Sequence, residues 1–96
     1  MGNFFSANKL VRSKSYNITS IRNALYRVVS DYQTKNKLSL IQLEEIIGKG
    51  KPVIRQIMDG EFEGTLSDFV EISILCGKTP IIEFLSFEDA VRRRRQ

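Results

Sequence analysis

The chain contains no histidine, a single cysteine and only two prolines in 96 residues. Without an imidazole, the commonest general base is missing. With Cys76 as the only thiol, the usual zinc ligand sets cannot be assembled either. One cysteine forbids an intrachain disulfide, and a reducing compartment is the simple reading. No run approaches the roughly 20 apolar residues that span a bilayer, and the N-terminus lacks the continuous apolar stretch of a signal peptide. These absences predict a small cytoplasmic protein that is not an enzyme and carries no metal or cofactor. A domain of this size buries only about 60–70% of its unfolded surface, so a partner subunit can matter to its stability.

Charge is present, and its placement is informative. Residues 1–37 hold seven Lys/Arg against one Asp, a net +6, whereas residues 38–91 hold four basic and ten acidic side chains, a net −6. Arg92, Arg93, Arg94 and Arg95 follow as a run. Basic ends on an acidic middle suggest a polyanionic partner reached through the ends. Basic tails also serve simply to keep a small protein soluble.

Residues 1–17 show no lasting periodicity and read as a basic, flexible arm. A helical pattern begins near residue 18, with Ile21, Leu25, Val28 and Tyr32 on one face and Thr19 or Ser20 as cap. Ser39 caps a short helix whose inner face holds Leu43 and Ile47, and Gly48 ends it. Pro52 sits in the first turn of the next helix, where its missing N–H costs nothing. Ile54, Ile57 and Met58 form the inner stripe of that helix, and Asp59-Gly60 stops it. The segment therefore reads helix, short turn, helix.

Thr65 caps a fourth helix, Leu66 to Cys76, which is apolar nearly all round and so either central to the core or shared with a partner. Thr79-Pro80 opens a segment, Ile81 to Leu85, that the pattern leaves as helix or strand. Ser86 and Asp89 open a last helix with acids at its start and arginines at its end, the order the helix dipole prefers. The expected layout is an arm over 1–17, a domain over 18–85 and a C-terminal helix over 86–96.

The stretch LSLIQLEEIIGKGKPVIRQIMDG, followed by TLSDFVEISILCGKTPIIEF, resembles the Cro/repressor-type (XRE-like) helix-turn-helix family. Leu38, Ser39, Leu43, Ile47, Gly48, Ile54, Ile57, Gly60, Leu66, Ile72, Gly77 and Thr79 fit that family's pattern without a gap. The resemblance implies an all-α, lambda-repressor-like domain of five or six helices. It also implies a repressor-like transcriptional regulator of bacterial or phage origin that binds double-stranded DNA as a homodimer. By the same resemblance, the helix from Lys51 to Asp59 lies in the major groove with Lys51, Pro52, Val53, Arg55 and Gln56 facing outward. Lys51 and Gln56 match base-reading positions, because Lys donates to guanine acceptors and Gln pairs with adenine. Ser39 matches a phosphate contact at a helix N-terminus, and Lys37 and Lys49 flank the same surface. Arg12, Lys14 and the run Arg92, Arg93, Arg94 and Arg95 are accessory DNA contacts on this view, the arm reaching a minor groove.

The chain departs from the family at four positions. Leu40 stands where Gln is usual, removing a positioning hydrogen bond. Glu44 replaces a small Ala, so it must bend outward, pair with Lys51 or Arg55, or push the two helices apart. Glu61 and Glu63 follow the recognition helix where carboxylates oppose phosphates. The acidic side chains keep open a protein-interaction module, such as an antitoxin or anti-repressor, and the basic ends keep open a non-specific DNA-binding accessory factor. A regulatory protein partner fits the main reading too, because no ligand-sensing domain fits in the chain.

Weaker signals remain. Met1 to Ser6 matches the N-myristoylation pattern, meaningful only in a cell with the transferase. Asn17-Ile18-Thr19 is a glycosylation sequon without force in an unsecreted protein. Tyr16, Tyr26 and Tyr32 read as core-edge residues, and Cys76 as a small core residue.

Overall fold

A computed structural model describes residues 4–94; Arg95 and the first three residues of the acylation pattern lie outside them. The described residues form six helices and no strand: α1 (Phe4–Val11), α2 (Lys14–Lys35), α3 (Leu40–Ile47), α4 (Lys51–Met58), α5 (Leu66–Leu75) and α6 (Phe87–Arg94). The all-α class is as anticipated. By contacts the chain divides into two compact units, residues 21–80 and residues 1–20 with 81–96.

The unit of residues 21–80 is built around one apolar cluster. Leu25 and Val29 from α2, Leu43 and Ile47 from α3, Ile54 and Ile57 from α4, and Ile72 from α5 with Cys76 meet there, all buried. Val28, Tyr32, Leu38, Val53, Met58 and Phe69 pack partly against them. Spacings of three and four residues put these side chains on one face of each helix. Two residues differ from the helical reading of α2: Ile21 is 60% exposed, and Val29 takes the inner place. The helix's inner face runs through Leu25 and Val29, one turn apart, instead of starting at Ile21.

Local sequence sets the helix ends. Ser39 Oγ accepts from the Gln42 N–H at 3.1 Å while Gln42 Oε1 accepts from the Ser39 N–H at 2.8 Å, a reciprocal capping box. Thr65 and Asp68 build the same device on α5. Between these helices a single apolar side chain in an otherwise polar loop, Phe62, turns inward and is 5% exposed, its ring centroid 5.3 Å from that of Phe69.

The second unit joins the two ends of the chain. Residues expected to be an arm are helical in α1, and α2 begins at Lys14, ahead of Thr19 and Ser20. The cap is Ser13, whose Oγ accepts from the Tyr16 N–H at 3.2 Å. α1 packs against α6, burying Val11 and Val91. The Arg12 guanidinium lies 4.3 Å from the Phe87 ring centroid, and Arg94 lies 5.7 Å from that of Tyr16. Arm and C-terminal helix are thus parts of one unit. Ser86 caps α6 as anticipated, its Oγ accepting from the Asp89 N–H. The segment left as helix or strand is neither, since residues 78–86 carry no regular structure. Thr79-Pro80 therefore opens no helix.

Candidate nucleic-acid interface

α3 and α4 are joined by residues 48–50. Gly48 closes α3 with φ 71° and Gly50 precedes α4 with φ 93°. Both angles are left-handed, where a Cβ is strained and glycine is not. The reversal takes three residues, and the two helices pack on each other. Ile54 and Ile57 anchor α4 from below at 2% and 1% exposure. The outer face of α4 is thereby fixed in orientation by its inner face.

The outward positions anticipated on α4 separate into two groups. Lys51, Pro52, Arg55 and Gln56 are exposed, whereas Val53 is half-buried against the core. Val53 lies one residue before the buried Ile54 and four before the buried Ile57, so it borders the inner stripe. Among the described residues neither Lys51 nor Arg55 enters an ion pair. Nor does Glu44, which is half-buried and bonds to neither of them. Two cations and an amide are therefore presented together to solvent on one rigid helix.

The flanking positions behave differently from one another. Ser39 is exposed, with its hydroxyl oxygen engaged in capping α3. Lys37 is exposed and holds a left-handed backbone at φ 53°. Lys49 is drawn instead to α5, its Nζ 2.8 Å from Glu71 and 3.3 Å from Asp68. The hydrogen bonds it donates to Glu71 and then to Asp68 raise its pKa above the ordinary lysine value. The Asp68 carboxyl is held below the usual carboxylate range, first by the Thr65 N–H, then by the Thr65 hydroxyl and Lys49. Lys49 thus spends its charge on two carboxylates of α5.

Sequence reasoning also missed Arg22. Its Nε donates to the Phe62 carbonyl at 3.0 Å and its Nη2 to Glu63 Oε1 at 3.4 Å. One of the two carboxylates that follow α4 is therefore partly answered by a cation 41 residues earlier. No local pattern announces such a partner, because the contact exists only once α2 and the 61–65 loop are packed.

The accessory cations are largely occupied within their own unit. Arg12 Nε donates to Asn8 Oδ1 at 3.0 Å besides stacking on Phe87. Arg92 pairs with Asp89 and Glu88, which raise its pKa in that order. Arg93 pairs with Glu83 at 2.9 Å. Lys14 is exposed and enters no ion pair among the described residues. Those residues also hold no group of His, Cys, Asp or Glu suited to a metal ion, and no helix long and apolar enough to cross a membrane.

No protein-family model, curated protein or solved structure matches the chain. The resemblance to the Cro/repressor-type family rests on the quoted residues.

Proposed function

We propose that the chain is a sequence-specific DNA-binding regulator that reads the major groove with α4. The observation that carries this reading is the outer face of α4, where Lys51, Arg55 and Gln56 stand exposed, the two cations without an ion pair among the described residues, on a helix anchored by Ile54 and Ile57. An α-helix fits the major groove, where Lys and Arg donate to guanine O6 and N7 and Gln pairs with adenine. Pro52 and the N-terminal N–H groups of α3 and α4 lie toward the phosphates in this pose, with Lys37 adding charge. Two copies would place two α4 helices on half-sites about one helical turn apart. Binding then occludes a promoter or contacts the polymerase.

The test is selection from a random-sequence duplex pool at two salt concentrations, followed by sequencing. Enrichment of a two-fold symmetric site supports the reading. Retention without enrichment, weakening steeply with salt, is the signature of non-specific phosphate binding. Of the cations that alternative relies on, Arg12, Arg92, Arg93 and Arg94 contact neighbouring side chains, whereas Lys14 stands exposed without an ion pair among the described residues.

A protein-interaction reading has an observation in its favour. On α3, Leu40 and Ile41 are 54% and 68% exposed, one turn before the exposed Glu45. Apolar and acidic groups there suit a basic protein better than phosphates. On that reading no duplex is retained even at low salt, and charge reversal at Glu44 and Glu61 abolishes function while Lys51→Ala and Gln56→Ala do not.

A further inference from the structure

α5 is apolar on two opposite sides. Inward it buries Ile72, with Phe69 half-buried beside it. Outward, Leu66, Val70 and Ile74 recur every fourth residue and stand 66%, 36% and 60% exposed, with Leu75 at 39% beside them. These side chains line a shallow groove together with Ser67 and Glu71. The one charge on this groove, Glu71, is already paired with Lys49 at 2.8 Å, and Lys49 takes Asp68 as well.

That charge arrangement selects the occupant. A basic peptide would need carboxylates free to receive it, and both on α5 are held by Lys49. An anionic lipid surface would need a row of free cations along the rim, and Lys49 there is spent on the same two carboxylates. An uncharged, apolar strip remains, whose complement is another uncharged, apolar strip. We propose that the outer face of α5 binds the same face of a second copy of this chain across a two-fold axis.

In such an isologous contact the two helices run antiparallel. Val70 then lies on the axis against its own counterpart, and Leu66 faces Ile74 of the second copy. The Lys49–Glu71 pairs stay at the rim, so the contact strips no unpaired charge of water, the step that makes buried ions costly. A single ten-residue helix per copy offers a small interface, below about 1,200 Å² in total, so the dimer forms reversibly with concentration. This deepens the dimeric reading proposed above and is tested without DNA, so failure of either idea is seen separately.

The experiment is sedimentation velocity of the full chain over a wide concentration series, on the unaltered protein, Val70→Glu and Phe84→Glu. Phe84 is the control because it is 94% exposed and apolar but lies outside α5. The expected result is monomer–dimer exchange that Val70→Glu weakens about tenfold or more by burying an unpaired carboxylate, and that Phe84→Glu leaves intact. A chain that stays monomeric throughout, or an association that survives Val70→Glu or is lost with Phe84→Glu, overturns the proposal. Mild oxidation of Val70→Cys in a Cys76→Ser background guards against misfolding of the glutamate variant. The axis position should cross-link to a covalent dimer, whereas Ile74→Cys, displaced from the axis, should not. Failure of Val70→Cys to cross-link, or equal cross-linking of Ile74→Cys, overturns it too.

Discussion

α4 and α6 are both eight-residue helices with cations on an exposed face, and they use those cations in opposite ways. On α6 each described arginine meets a partner in its own unit: Arg92 two carboxylates, Arg93 Glu83 and Arg94 the Tyr16 ring. On α4, Lys51 and Arg55 enter no ion pair among the described residues. The helix with more charge is the more nearly neutralised. A count of basic residues therefore does not show which cations stand unpaired; the distribution of carboxylates around each helix does.

That contrast can be broken at several points. The largest effect is expected where α4 is seated: Ile57→Ala leaves a cavity and costs about 2–5 kcal/mol of stability, read from thermal unfolding. Val91→Ala in α6 removes two carbons instead of three and costs less; the reverse order would mean that α4 is not the more firmly anchored helix. Next comes recognition. Arg55→Ala or Gln56→Ala should weaken binding to a selected DNA site by about 1–3 kcal/mol and relax its preference near one base pair. Arg93→Ala should leave that affinity unchanged, and equal losses from the two helices would erase the distinction between them.

Smaller still is the cap of α3. Ser39→Ala removes the hydroxyl acceptor of the capping box, leaving the Gln42 N–H without it, and costs about 1 kcal/mol in the same unfolding measurement. The smallest effects are electrostatic. The depressed Asp68 carboxyl contributes stability above the ordinary Asp pKa, and that contribution disappears as pH falls through its lower folded value. The thermal midpoint of the unaltered chain should therefore fall on acidification more steeply than that of Asp68→Asn. Arg92→Ala, in exposed pairs on α6, should leave the midpoint at neutral pH unmoved.

Much of the unit of residues 21–80 was legible because its determinants are local. Leu43 with Ile47, Ile54 with Ile57, the caps Ser39 and Thr65 and the glycine at 48 each announce themselves within four residues. The unit formed by the chain ends was not legible. α1 buries Val11 against a helix that carries Val91, a pairing of opposite ends of the chain that no short window displays. Ile81, Ile82 and Phe84 have the apolar character of an element, yet they stay exposed and irregular. At the candidate site, the burial of Ile54 and Ile57 followed from spacing. The half-burial of Val53 and the capture of Lys49 by α5 did not, because both depend on which neighbour the face meets.

The three-residue turn has a consequence for how such a protein can change over generations. Two of its residues, Gly48 and Gly50, hold left-handed backbone that other side chains adopt only with strain, so substitution there costs stability. Lys51, Arg55 and Gln56, a few residues on, face solvent and can be exchanged with little effect on stability. On the reading proposed above, a new target could therefore be acquired through a handful of exposed substitutions on a scaffold left unaltered.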